Sequence, residues 1–200
     1  MIESTLNYWH QGETTMTNKI YAFCGLSGTG KTTVARIISE FYDLPFIVSC
    51  TTRPMRPGEK DGKDYRFVDD HTWNKLSKNG ALAATQEFKV ACGSVWKYGI
   101  KRDDLKDSCV MVLTPSGINE LRAAGYNVVS FYITMIEETR LKRIGCRNDN
   151  QSNAEIVRRT KADKAVFKKF TPDYIIDNSG ELADTILYVA QQMSKEKSGK

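Results

Sequence analysis

Two hundred residues with 40% hydrophobic and 26% charged side chains are enough to bury one substantial core, and they exclude a disordered, low-hydropathy chain. The formal charge of +5 favours anionic partners, but no basic stripe interleaved with aromatics stands out, so nucleic acid is not an expected partner. No run of about 18 apolar residues argues for a membrane span; the five cysteines, Cys24, Cys50, Cys92, Cys109 and Cys146, form no C-x-x-C pair, which speaks against zinc or a disulfide framework and fits a reducing cytoplasm.

Residues 1–18 lack the basic start and apolar stretch of a signal peptide and read as a polar, disordered extension. "KIYAFC" (19–24) is a buried strand. The helix after it carries Val34, Ile37, Ile38 and Phe41 at helical spacing, one buried face. "FIVSC" (46–50), "CVMVL" (109–113) and "VVSFYI" (128–133) are further strands, and a helix from Ser116 to Ala124 ends at Gly125. A helix from Ile136 to Cys146 follows; Ser152 and Glu155 then make a capping box that opens a charged helix to Phe170. "YIID" (174–177) is the last strand and residues 181–193 the last helix, before a polar tail at 194–200. Alternating strands and helices predict an α/β fold with a mostly parallel sheet covered on both faces. Residues 50–100 break the rhythm with prolines, glycines, strand-like pieces at "YRFV" and "LAATQEF", and a short helix near Trp73. They read as a small lobe inserted into a core made of 19–49 and 101–193.

Gly25-Leu-Ser-Gly-Thr-Gly30-Lys31-Thr32 fits the phosphate-loop pattern G-x-x-x-x-G-K-[ST] between a strand and a helix. Glycines, among them Gly25, Gly28 and Gly30, let backbone N–H groups curl around a phosphate, and the new helix aims its unpaired N–H groups at it. Lys31 supplies charge to β and γ phosphates, with Ser27 and Thr33 beside them. Thr32 offers a hydroxyl to Mg²⁺, the expected cofactor of a bound ATP. Downstream, Arg53 and Arg56 each precede a proline, which holds them on an extended loop where forked guanidinium groups grip a phosphate.

That stretch, "VSCTTRPMRPGEKDGKDYRFV" (48–68), resembles the acceptor-binding segment of guanylate kinases, V-S-x-T-T-R-x-x-R-x-G-E-x-x-G-x-D-Y-x-F-V, at every fixed position. With the phosphate loop, the resemblance covers most of residues 19–190. It implies a P-loop three-layer α/β fold with an inserted lobe that binds a nucleoside monophosphate and a helical lid at about 145–162. It implies ATP-dependent phosphorylation of GMP or dGMP, with ATP and the monophosphate as partners. Arg53, Arg56, Tyr65 and Tyr98 would hold the acceptor phosphate, while Ser49 and Glu87 would hold its base. Arg147 and Arg159 match the lid arginines, Arg140 assists them, and Asn178 matches an asparagine near the adenine of ATP. A carboxylate at Glu87 suits guanine, whose N1–H and N2–H are adjacent donors.

The chain departs from the family at the base. Ile100 follows Gly99 where serine or threonine is usual, and "VMVLTPSG" has Val112 and Thr114 in place of two aspartates and Ser116 in place of glutamine. The stretch between Glu87 and Tyr98 is also longer than the family pattern. These departures leave open a kinase of the same fold acting on another nucleoside monophosphate or a sugar phosphate. A non-catalytic protein-binding module is disfavoured, because the loop glycines and Lys31 are all kept.

Overall fold

The protein is seen in a computed structural model that describes residues 18–90, 93–145, 167 and 169–197. In chain order the elements are β1 (Lys19–Cys24), α1 (Lys31–Phe41), β2 (Phe46–Ile47), β3 (Cys50–Thr51), β4 (Arg66–Phe67) and α2 (Asp70–Lys78). Then come β5 (Leu82–Lys89), β6 (Val95–Lys101), a 3-10 turn (Arg102–Leu105), β7 (Cys109–Val112), α3 (Pro115–Ala123), β8 (Asn127–Thr134), α4 (Glu137–Gly145), β9 (Tyr174–Asp177) and α5 (Leu182–Lys197).

Five strands make a parallel sheet in the order β2-β7-β1-β8-β9, with β1 at its centre. The alternation of β1 sends its side chains into two cores. Tyr21 and Phe23 join Val34, Ala35 and Ile38 of α1 and Val189 and Met193 of α5, while Ile20, Ala22 and Cys24 join Met111, Ile118 and Leu121 beside α3. Helices on both faces of a parallel sheet give the three-layer α/β arrangement expected from the alternation of elements. A loop leaving the C-terminal end of β1, flanked by β7 on one side and β8 on the other, sits where open α/β sheets leave a crevice for ligands.

A second sheet, ordered β4-β3-β6-β5, is built from the segment that broke the rhythm. The apolar run 46–50 is divided between the two sheets: Phe46 and Ile47 pair with Val110 and Met111, whereas Cys50 pairs with Gly99 and Arg66. Only backbone partners decide which sheet such a run joins, so one expected strand became two. Strand β6 pairs along β5 and was not assigned from sequence.

Helix α3 starts one residue earlier than expected, with Pro115 in its first turn and the Thr114 hydroxyl accepting from Gly117 N–H at 3.3 Å. Helix α5 runs on to Lys197, past its expected end at 193. Its last turn is held by Tyr174 Oη donating to Glu196 at 2.7 Å and by a Lys19–Glu196 ion pair. The extension, the capping box at Ser152 and the lid helix lie outside the described residues, although Phe167 and Phe170 pack against the α3-side core.

Candidate active site

The loop from Gly25 to Gly30 ends β1, and α1 begins at once. Gly30 is the residue before the helix, with φ +84°, and no side chain caps the first turn or places an acid in it. The first turn of α1 thus supplies no anion of its own to its N-terminal N–H groups, and the helix dipole adds its positive end. A Cβ on Gly30 would lie 2.5 Å from Asn178 Nδ2, so only glycine fits there. Lys31 Nζ reaches back over the loop to the Leu26 carbonyl at 3.4 Å, and Thr29 Oγ1 donates to the same carbonyl at 2.9 Å. The Thr32 and Thr33 side chains are exposed and Ser27 is half-buried. Cys24, just before the loop, is pushed up to about 12 by burial, which outweighs the nearby Lys31 charge; it stays a neutral thiol.

Two elements far along the chain brace this loop. Asn178, 3% exposed at the end of β9, donates Nδ2 to the Thr29 carbonyl at 2.8 Å and accepts from Thr185 Oγ1 of α5 at 2.9 Å. Both ends of its amide are thus engaged within the protein. Arg140 of α4, 1% exposed, donates to the Ser27 carbonyl at 3.1 Å, and its Nη2 is buried with no hydrogen-bond partner among the described residues. One turn on, Arg143 places Nη1 3.5 Å from the point where a Cβ on Gly30 would sit. The sequence reading passed over Arg143, although its i, i+3 spacing from Arg140 was a usable signal.

The second sheet gathers most of the residues expected to hold an acceptor. Thr51 of β3 lies opposite Tyr98 of β6, and its hydroxyl accepts from Arg53 N–H at 3.1 Å. Arg53 is 4% exposed; its guanidinium lies 5.2 Å from the Tyr65 ring and 5.5 Å from Phe67. Tyr65 meets Tyr98 edge-on at 5.9 Å, and Tyr98 meets Phe88 at 5.5 Å. Ser49, just before β3, and Arg56, on the loop after it, are half-buried.

Glu59 organises the loop. One carboxylate oxygen accepts from Arg53 Nη2 at 2.6 Å and the other from Arg56 N–H at 2.8 Å. Burial raises its pKa, but the Arg53 hydrogen bond, the Arg56 N–H and the two arginine charges outweigh that and hold it below the ordinary glutamate value. Its place three residues after Arg56 in the quoted motif was a signal for this role.

Glu87 does not join the cluster. The β5–β6 hairpin pairs Ala83 with Ile100 but Gln86 with Tyr98, a one-residue bulge at Ala84, whose φ is +50°. The bulge changes the phase of the strand, so Gln86 and Phe88 share the face of Tyr98 while Glu87 lies opposite Lys97 on the face covered by α2. Gly99, on that far face, abuts Trp73 of α2, and Lys97 pairs with Asp70 at 2.8 Å. Ile100 is fully buried in the α3-side core. Arg147 and Arg159 lie outside the described residues.

A phosphate loop at the end of a central parallel strand, beside a smaller sheet that carries a buried arginine among tyrosines, defines a P-loop kinase of the α/β class. The guanylate kinase family profile matches residues 17–196. A guanylate kinase of Wolbachia pipientis is 32% identical over 187 residues, 86% of this chain and 87% of that protein, and one of Thermotoga maritima is 26% identical over 193 residues, covering 92% and 89%. The crystal structure of guanylate kinase from Anaplasma phagocytophilum superposes with a TM-score of 0.66 at 25% identity, covering 90% of this chain and 86% of that one. The chain belongs to the guanylate kinase family, and with it to the enzymes that move a phosphoryl group from ATP to GMP.

Proposed function

We propose that the chain transfers the γ-phosphoryl group of ATP to GMP or dGMP in line, with Mg²⁺, and that the two clusters described above are its donor and acceptor sites. The loop N–H groups of Gly25, Ser27, Gly28 and Gly30 and the start of α1 cradle the donor phosphates, with Lys31 on their outer oxygens and Thr33 beside them. Asn178 acts here by fixing the Thr29 carbonyl, and so the loop's shape. The observation that carries the acceptor side is the buried Arg53 guanidinium among Tyr65, Phe67 and Tyr98, a cation placed where an anion can be gripped away from water. Arg56, Tyr65 and Tyr98 complete that grip, with Ser49 at its edge.

Among the described residues no group of three or more histidines, cysteines or acids is placed to hold a metal. An exposed Thr32 hydroxyl at the loop fits Mg²⁺ all the same, because this ion keeps several waters and takes its other ligands from phosphates. Bound there, it would neutralise charge on the transferring group.

No general base is needed. A phosphate monoester with a second pKa of about 6 is already anionic at neutral pH. This suits a chain whose His71 is exposed on α2, and whose other histidine, His10, lies outside the described residues. The work left to the protein is positioning and charge neutralisation by Lys31, Arg53 and the lid arginines Arg147 and Arg159. Measuring ADP formation with GMP, dGMP, AMP, CMP, UMP and dTMP in turn, with Lys31→Ala as the control, tests this. Turnover with GMP or dGMP that depends on Lys31 is the expected result; ADP formation indifferent to any acceptor would overturn it.

A further inference from the structure

The acceptor's base needs a reader close to its phosphate, and the hairpin supplies one. Gln86 lies directly opposite Tyr98, a position that brings the two Cβ atoms to about 5 Å on the same face. Phe88, two residues on, extends that face with an aromatic edge against Tyr98. The Gln86 amide is not loose. Its Nε2 donates to Ser116 Oγ at 2.6 Å and to Thr114 Oγ1, at the start of α3. Thr114 Oγ1 also accepts from Gly117 N–H, so the hydroxyl that receives the amide is itself anchored by the helix it caps. Ala84, at the bulge, is fixed from the same helix: its N–H donates to Glu120 Oε1 at 2.7 Å, and its Cβ would sit 3.3 Å from one on Gly117. The bulge that aims Gln86 is therefore held against α3 at two points.

We infer that Gln86, oriented by Thr114 and Ser116, meets the Watson–Crick edge of the acceptor base, and that the site accepts 6-oxopurine monophosphates without reading the 2-amino group. This rests on the acceptor reading above. With Nε2 committed to two hydroxyls, Oε1 is the atom left to meet the base, and no described residue donates to it. An acceptor oxygen suits N1–H, which guanine and hypoxanthine share, and repels the lone pair on N1 of adenine. A carboxylate would accept from N1–H and N2–H together; one amide oxygen aimed at N1–H leaves the 2-amino group without a dedicated partner. Glu87, the nearest acid in sequence, faces α2, and positions 112 and 114 are Val112 and Thr114.

The test compares kcat/KM for GMP, IMP and AMP in the full chain, with equilibrium binding of each nucleotide as a second readout. The expected result is a GMP-to-IMP ratio within about fivefold, with AMP at least tenfold poorer than either, the scale of about one hydrogen bond gained or lost. GMP preferred to IMP by a hundredfold, or AMP used as well as GMP, would overturn the inference while leaving GMP phosphorylation standing. No turnover of any purine monophosphate would overturn both. Gln86→Glu should raise the GMP-to-IMP ratio about tenfold, since its carboxylate gains N2–H. Ser116→Ala, which frees the amide to turn, should narrow the gap between GMP and AMP and leave the KM for ATP unchanged. A merely structural Gln86 would instead shift the KM for ATP and lower all three acceptors by one factor.

Discussion

The two phosphate-grade regions handle positive charge in opposite ways. At the loop, the first turn of α1 carries no capping side chain and no acid, so its N–H groups and dipole are compensated by nothing in their own turn. In the smaller sheet, the buried Arg53 guanidinium already has a counter-ion in Glu59 at 2.6 Å, together with two aromatic faces. On the proposed reading the loop takes its anion from outside, whereas the Arg53 cluster carries one of its own and would share Arg53 with an arriving phosphate. Removing the Lys31 charge should therefore cost activity with little cost in stability. Changes at the acceptor cluster should cost both.

The largest effect tests the first half of that contrast. Lys31→Ala should lower kcat about 10²–10³-fold, the usual loss when one donor to a developing charge is removed, while the unfolding free energy changes by no more than about 1.5 kcal/mol, the scale of a hydrogen bond such as that to Leu26. Single-turnover kinetics with a parallel thermal melt would show it. A larger drop in stability would mean that Lys31 holds the resting loop by more than its bond to Leu26. Next comes Arg53→Ala, which should raise the KM for GMP about 10–100-fold and also cost about 1–3 kcal/mol, because Glu59 would lose its charged partner in a half-buried place. Arg53→Lys should recover part of the stability but less of the affinity, since an ammonium cannot reproduce the fork. Equal recovery of both would dissolve the distinction between the regions.

How readily each region was read from sequence follows from how local its geometry is. The phosphate loop is one contiguous run whose shape is set by its own glycines, and the strand and helix that flank it fell where the apolar periodicity put them. Arg53, Arg56 and Tyr65 were likewise legible because one short motif carries them all. The base side was not. Which residues of "LAATQEF" share the face of Tyr98 depends on a single extra residue at Ala84, and a phase shift of one exchanges Gln86 and Phe88 for Thr85 and Glu87. Nothing in the alternation of that run marks the bulge, which is fixed by Glu120 and Gly117 some thirty residues later in the chain. The brace of the loop by Asn178 was half legible: the residue was singled out, but its two internal partners, Thr29 and Thr185, appear only once β9 and α5 are in place.

The Arg53–Glu59 pair also gives the acceptor side a pH signature. Glu59 has its pKa depressed in the folded protein, so its contribution to stability is complete above the unfolded glutamate value of about 4.3 and is lost as pH falls through the lower folded value. Urea midpoints of the wild type and Glu59→Gln should therefore differ at pH 7 and 5, and the difference should shrink as pH falls below about 4.3. A gap that does not narrow as pH falls would show that the glutamate acts through packing or through its neutral hydrogen bonds.

The smallest effect is the most exacting for the hairpin register. Glu87 is exposed, lies opposite Lys97, and sits on the face of the sheet that α2 covers, across the strand from Tyr98. Glu87→Ala should change kcat/KM for GMP by less than about twofold and stability by less than about 0.5 kcal/mol, the usual scale for an exposed side chain. The expectation depends on one backbone fact, the bulge at Ala84. Were the hairpin regular, Thr85 would stand opposite Tyr98, and Glu87, two residues on, would turn toward the acceptor in place of Phe88. A large loss of GMP turnover in Glu87→Ala, with Gln86→Glu silent, would mean that the strand passes Ala84 without the extra residue. The reverse pattern would establish the bulge as the device that chooses an amide over a carboxylate at the base.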